Sequence, residues 1–483
     1  MKRAYLTQGV AAAALLLGSG VAIAQQDQPG EGATQQDAMD AQGGMGAGIG
    51  PGSSERIGAG TAFNPSISVI LDGVYTNTFS GEVDDPGGFE GGHSHGHGHD
   101  HGGGGDGFQL RETEFAFEAS VDPYFDAFAM LVVEGTDTVD LEEAYFTTSS
   151  LPWGLQIKGG RFLSDIGYIN NQHPHEWDFV DRPLVSEHLF GHHGIQETGV
   201  QLNWLLPTRT YLKGGVEVLQ GDTSGVANYV GHDRAEFDEY FVDGNDELNR
   251  VRERQDLPFE DASGPRLFTG FLKWGPDLGY DHAAQFGISG GYARAFQRSE
   301  EHGTPRVQTW DGDAWFAGLD AVYKYDAAGY LGHGDLTIQG EYFYREQDLD
   351  FEVFKFADDQ GGGPDDWTWE SAESADVRYR QDGAYLQAVY GIAPRWRTGV
   401  RAEALGIAEN RAFDGDSNPS DDFGTSYRYS LNTTFYPSHF SFLRAQVNYA
   451  DYAAEDPGGD RHDEWSFMLQ YNISIGAHGA HPF

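Results

Sequence analysis

Residues 463–477 read DEWSFMLQYNISIGA, and their alternation decides the fold. Trp465, Phe467, Leu469, Tyr471, Ile473, Ile475 and Ala477 share one face of an extended strand. Ser466, Met468, Gln470, Asn472 and Ser474 share the other. The first set reads as facing lipid and the second as facing a wet interior. The stretch 395–404 follows the same rule, with Trp396, Thr398, Val400, Ala402 and Ala404 alternating with Arg395, Arg397, Arg401 and Glu403. A charge on a lipid-facing position near the midplane costs ~2–4 kcal/mol, so these arginines are expected to point inward.

Working back from that stretch, dyad alternation recurs from Phe63 onward in sixteen runs. They are 65–79, 108–121, 125–135, 139–148, 154–163, 195–206, 209–221, 265–275, 283–297, 312–325, 334–349, 376–392, 395–408, 424–436, 439–452 and 463–477. The breaks are of two kinds, and the kinds take turns along the chain. Short breaks with turn residues, such as Asp122-Pro123, Pro207-Thr208, Ala393-Pro394 and Pro437-Ser438, join even runs to odd ones. Long, acidic, glycine-rich breaks follow the odd runs: 80–107, 164–194, 222–264, 298–311, 350–375, 409–423 and 453–462. Only 136–138 is short where a long break is due. An even strand number with tight turns at one end and large loops at the other predicts an all-β fold. It is a transmembrane antiparallel up-and-down β-barrel of about 16 strands, with short periplasmic turns, long extracellular loops and periplasmic termini.

Composition agrees. Lys2 and Arg3, the apolar run Val10–Leu17 and Ala22-Ile23-Ala24 read as a signal peptide over 1–24. That run is too short to span a bilayer as a helix, which needs about 20 residues, and no later segment qualifies. Residues 25–62 are rich in Gln, Gly and Asp, and read as a flexible N-terminal segment ahead of the barrel, 63–483. Cysteine is absent, which excludes disulfides and thiolate metal sites. The formal charge of −45 argues against nucleic acid as a partner; it suits cations and equally suits a saline habitat. Aromatic residues make up 13%, enough to furnish girdles at two membrane interfaces.

The chain ends in Phe483, in phase with the outward residues of 465–477, and this resembles the signal by which outer-membrane barrels are recognised by their assembly machinery. From residue 63 the layout resembles bacterial porins: sixteen strands, with the candidate inward-folding loop after the fifth. It is also similar to plug-less outer-membrane proteins associated with zinc uptake that are often labelled TonB-dependent receptors. The resemblance implies the outer membrane of a Gram-negative bacterium, contact with outer-membrane lipid, passage of small solutes and divalent cations, and no enzymatic activity. It leaves a homotrimer open as the assembled form.

The sharpest motif is the loop 91–105, with His93, His95, His97, His99 and His101 alternating with small residues, Asp100 among them. Imidazole suits Zn²⁺, Ni²⁺ and Cu²⁺, and a glycine-rich backbone lets several rings gather on one ion. A polar tract that binds metal only incidentally is the plainer reading. The loop 164–194, a candidate for constricting the lumen, carries Asp165, His173, His175, Glu176, Asp178, His192 and His193. Its histidines are a second candidate metal set, or serve only to fasten the loop to the wall. Inward phases of the later strands supply Arg397, Arg401, Glu403, Arg428 and Arg444 as pore-lining candidates, facing Asp165, Glu176 and Asp178 of the loop. Such an arrangement sets up a transverse field across a pore, unless the arginines simply pair with wall carboxylates. His439 with Ser438 and Ser441 is the nearest approach to a hydrolytic pair, and it sits at a predicted periplasmic turn. No Gly-x-Ser-x-Gly, Walker or His-Glu-x-x-His pattern is present. The expectation is a channel whose outer loop captures divalent metal, zinc first. The alternative is a surface metal-binding or adhesion protein with the barrel as its anchor.

Overall fold

The computed structural model describes residues 60–61, 65–81, 85–89, 106–135, 138–222, 225–231, 234–242, 248–256, 259, 262–301, 306–357, 368–414 and 418–476. Within them sixteen wall strands follow in chain order. They are β1 (Ser66–Ser80), β2 (Gly107–Ser120), β3 (Phe125–Glu134), β4 (Thr138–Thr148), β5 (Leu155–Leu163), β6 (Gln196–Leu205), β7 (Tyr211–Leu219) and β8 (Leu267–Gly275). The second half comprises β9 (His282–Glu301), β10 (Arg306–Tyr325), β11 (Leu336–Ala357), β12 (Thr368–Ala393), β13 (Trp396–Asp414), β14 (Ser426–Ser438), β15 (Ser441–Tyr452) and β16 (His462–Gly476). Each strand pairs antiparallel with the next, and β16 pairs with β1 from Ser68↔Gly476 to Ser80↔Trp465. That seam closes the sheet into the expected sixteen-stranded barrel. Gly60–Thr61 adds a short parallel bridge to Ala119–Ser120.

The pleat sorts side chains as the alternation requires. Along β14, Tyr427, Tyr429 and Leu431 are exposed while Arg428, Ser430 and Asn432 are buried; Leu431 is 56% exposed and Asn432 2%. Along β13, Val400 is exposed between buried Gly399 and Arg401. The outside is therefore apolar and the inside polar, the reverse of a soluble barrel with a greasy core. Exposed aromatics mark the tight-turn end, with Tyr124, Trp153, Tyr280, Tyr330 and Phe440 each at a different turn. Amphipathic rings of this kind favour a lipid–water interface.

Three of the expected breaks differ from the sequence reading, and that at 409–423 is taken up by the end of β13 and by Asn418–Asp422 paired to it. The breaks expected at 298–311 and 350–375 are largely strand, because β9 to β12 run on past the wall as tall hairpins. Phe296, Trp310 and Leu349 bury against Phe351 and Tyr379 there, and Arg380 pairs with Glu346 at 2.9 Å. High acidic content hid this period-two pattern. A second hairpin, Arg234–Val242 with Leu248–Asp256, lies within the long connection between β7 and β8. Arg395, which the alternation placed inward, instead takes φ 70 in the tight turn before β13 and is exposed. A residue in that region belongs to the turn and not to the pleat.

Leu431→Arg is expected to destabilise the folded barrel in lipid vesicles by ~2–4 kcal/mol, read from urea unfolding followed by tryptophan fluorescence. A change under about 0.5 kcal/mol, the scale of an indifferent surface substitution, would place that side chain away from lipid.

Candidate functional site: a loop inside the barrel

The connection 164–194 leaves β5 and does not stay at the rim. Ser164 Oγ and the Asp165 amide donate to Glu217 of β7, and the Gly167 amide donates to Ser289 Oγ of β9 at 3.3 Å. The Tyr168 amide donates to Glu341 of β11. His173 and His175 face Glu142 of β4 and Glu114 of β2 at 3.4 and 2.8 Å. The Val180 amide donates to Gln446 of β15 at 2.8 Å, and the Leu184 amide to Glu403 of β13 at 2.8 Å. One segment bonded to inward residues of strands on all sides of a ring can lie only within the ring.

Two devices hold it there. The first is ionic. Asp181 pairs with Arg401 at 2.6 Å and with Arg428 at 3.0 Å, and both guanidinium groups also meet Glu403. Burial by itself raises the Asp181 pKa, but Arg401 and Arg428 outweigh it and hold the carboxyl below its ordinary value. Arg444 donates to the Phe179 carbonyl at 3.1 Å, Arg428 to the Arg182 carbonyl at 2.7 Å and Asn432 to the Asp178 carbonyl at 2.7 Å. The backbone of a coil thus finds inside the barrel the partners that a ladder would supply.

The second device is an apolar core. Pro183 opens a short helix, α1 (Leu184–Phe190), whose Leu184, Val185, Leu189 and Phe190 are buried. Phe190 sits edge-on to Phe316 and Phe343, at 5.0 and 4.8 Å between centroids. Room for these rings comes from inward glycines. A Cβ on Gly318 would fall 2.1 Å from the Phe343 ring, and one on Gly291 would fall 2.4 Å from that of Phe316. Phe89, Val226 and Ala227 from the neighbouring connections join the same cluster. Arg345, on the wall, caps the helix end by donating to the Leu189 carbonyl at 2.9 Å.

The remaining interior charge is unevenly spread. Asp72, Glu112 and Glu134 occupy one rung across β1, β2 and β3, with Glu114 two residues along and Glu142 and Glu143 on β4. Arg111, on a bulge in β2, donates to Asp72 at 2.7 Å and to the Val180 carbonyl at 2.6 Å. Further round the wall are lysines. Lys213 and Lys273 face each other across β7 and β8, and Asp165 of the loop bonds Lys213 at 2.8 Å.

No family model matches the chain. A protein of Aquifex aeolicus (strain VF5) carrying the description "Uncharacterized protein" is 33% identical over 432 residues, 87% of this chain and 80% of its own length. The chain belongs to that protein's family. Among solved structures it is similar to the trimer form of OmpT, an outer membrane protein of Vibrio cholerae, with TM-score 0.47, 10% identity and cover of 86% of this chain and 100% of that one. It is also similar to the outer membrane channel DcaP of Acinetobacter baumannii, with TM-score 0.46, 11% identity and the same cover. A third is Pseudomonas putida OprB, with TM-score 0.46, 10% identity and cover of 85% and 94%.

In this member of the family the residues singled out from sequence separate into groups. Arg401, Glu403, Arg428 and Arg444 are buried against the loop; the first three are matched in charge with Asp181, while Arg444 meets only the neutral acceptors Thr434, Gln470 and the Phe179 carbonyl. Arg397 lies near the turn end, 3.9 Å from Asp335 and over the Tyr436 ring. Asp165 is locked to Lys213, Glu176 accepts from the His173 amide at 3.0 Å, and Asp178 offers its carbonyl to Asn432. His173 and His175 stack at 5.8 Å, while His192 and His193 lie edge-on at 5.2 Å, with His192 3.8 Å from Glu187. Among the described residues no three His, Asp or Glu side chains are grouped to hold a metal ion. His93, His95, His97, His99, Asp100 and His101 lie outside the described residues. The carboxylates of β1 to β4 and the lysines of β5 to β10 escaped the sequence reading; the inward phase of each strand was the available signal.

Asp181→Asn should loosen the loop, because it leaves Arg401 and Arg428 short of an anion in a buried site, a loss of ~3–5 kcal/mol. Faster proteolytic nicking within 164–194 on the folded barrel checks this; an unchanged rate would refute it. Burial lowers the imidazole pKa of His173 and His175, but Glu142 and Glu114 raise both above the ordinary value. Their fastening is therefore present while the rings are charged and the glutamates ionised, and is lost as pH rises through the raised values. Amide exchange over 173–178 should accelerate at alkaline pH, and His173→Gln with His175→Gln should abolish that dependence.

Proposed function

We propose that this chain is an outer-membrane channel for small solutes, with its long loops extracellular and its termini periplasmic, and that its His-rich segment 91–105 gathers divalent metal, zinc first. The observation that carries the reading is the closed wall, apolar outside and polar inside, crossed by a loop held at named points. A ring of about 16 strands is wider than its own inward side chains can fill, so its permeability is set by what crosses it. Here that is 164–194, tied by arginines along β13 to β15 and by histidines along β2 and β4. Solutes pass beside this loop, between it and the wall. Asp181 and the buried arginines position the constriction and are not contacts for the solute.

The alternative is a barrel that serves only as an anchor for a metal-binding or adhesive surface. The apolar cluster around Phe190 favours it, since a hydrophobic core inside a barrel excludes water locally.

Planar-bilayer recording of the purified protein separates the two. Discrete current steps are expected from a channel, and silence would leave the anchor. Deleting 91–105 should weaken zinc binding measured by calorimetry while the barrel stays folded. Unchanged zinc binding would remove metal capture from that segment.

A further inference from the structure

Three connections at the long-loop end meet in one apolar layer inside the ring. On the wall the layer reaches from Leu219, at the loop end of β7, across to Leu405 of β13. Between them lie the buried face of α1 and Val226 from the connection after β7. Phe89, from the connection after β1, belongs to the same layer and is 1% exposed. A packed apolar layer across a lumen excludes water and the polar solutes that travel in it.

Phe89 is carried there by a strap, residues 85–89, that is fitted to its place. The strap lies inside the rim against β12, β13 and the connection after β15. The Gly87 amide donates to the Ala453 carbonyl at 3.0 Å. Asn410 of β13 donates to the Gly87 carbonyl at 2.9 Å, and Gln381 of β12 donates to the Gly88 carbonyl. Close approach requires both glycines. A Cβ on Gly87 would fall 1.8 Å from the Ala454 carbonyl oxygen. Gly88 has φ 81, and a Cβ there would fall 2.3 Å from Asn410 Oδ1. The Phe89 ring then stands edge-on to His188 of α1, with 6.2 Å between centroids.

The three segments differ in how they are tied. Releasing 164–194 would strip Asp181 from Arg401 and Arg428 and leave buried charge unpaired. The segment after β7 is gripped by a guanidinium, since Arg345 donates to the Gly225 carbonyl at 2.6 Å. Gly87 and Gly88 of the strap are bonded to neutral amides, which exchange for water at small net cost. Its anchor in the layer is a single ring.

We propose that the strap 85–89 is an autoinhibitory lid. With Phe89 seated, the long-loop end of the barrel is shut, and withdrawal of Phe89 opens it to small solutes. This rests on the channel reading and adds the step that controls entry. The constriction 164–194 keeps its place in both states, so opening breaks no buried ion pair.

The test is the open fraction of the purified full-length protein in planar bilayers. The wild type is expected to show brief steps from a mostly closed state. Phe89→Ala removes the ring, and Gly87→Val forces the strap off the Ala454 carbonyl; each should raise the open fraction several-fold. A shift in migration between unheated and boiled samples on an SDS gel shows that each barrel is folded. Gly88→Cys with Asn410→Cys joins two positions already in contact, in a chain that otherwise has no cysteine. Oxidation of that pair, verified by loss of thiol labelling, should hold the barrel closed, and a reducing agent should restore the steps. An open fraction unchanged in both single variants overturns the proposal, and so does an oxidised pair that conducts like the wild type. Should one variant fail to assemble, the other two decide the matter. Steps indifferent to every variant overturn this proposal alone, whereas the absence of any step in wild type and variants overturns the channel reading along with it.

Discussion

Ring closure at the seam between β16 and β1 is the constraint on which everything else depends. Hydrocarbon offers no hydrogen bonds, so an open sheet edge inside it would leave a row of amides and carbonyls unpaired, each costing several kcal/mol. The pairing from Ser68↔Gly476 to Ser80↔Trp465 removes both edges at once. Once the ring is shut, period-two alternation becomes a statement about solvent. Val400, Leu431 and Ile473 meet the outside, and Arg401, Asn432 and Asn472 the inside.

A closed ring of this size has too much interior for its own inward side chains, and the chain fills part of it with its own backbone. That backbone needs partners as surely as a strand does. Wall arginines reach the carbonyls of Phe179, Asp181, Arg182 and Leu189, and wall glutamates take the amides of Asp165, Tyr168 and Leu184. Arg401, Arg428 and Arg444, which the alternation placed inward, hold this coil in place. On the side of β2 and β4 the groups meeting the loop are glutamates and imidazoles.

Much of the fold was legible in sequence, because alternation and loop parity are both local signals. All sixteen runs correspond to wall strands. The tall hairpins at 296–310 and 349–379 were not legible, because acidic side chains on both faces imitate a loop. The site was less legible than the fold. Bulges at Arg111 and at Glu142 shift the phase by one residue, so a strict count assigns neighbouring charges to the wrong face. Helix α1 has only seven residues, too few to show a period against its flanking turns. Which inward charges meet which depends on the register between strands far apart in the chain, and no local pattern carries that. Lys213 opposite Lys273, with Asp165 bonded to Lys213, is of this kind.

Because the chain contains no cysteine, single cysteines can be placed along β14 without background. The most direct measurement is fluorescence quenching by brominated lipid of a probe attached in turn at positions 427 to 434 in reconstituted protein. The account predicts strong quenching at 427, 429, 431 and 433 and weak quenching at 428, 430, 432 and 434. Quenching that is absent throughout, or that does not alternate, would contradict a barrel wall between lipid and a wet interior.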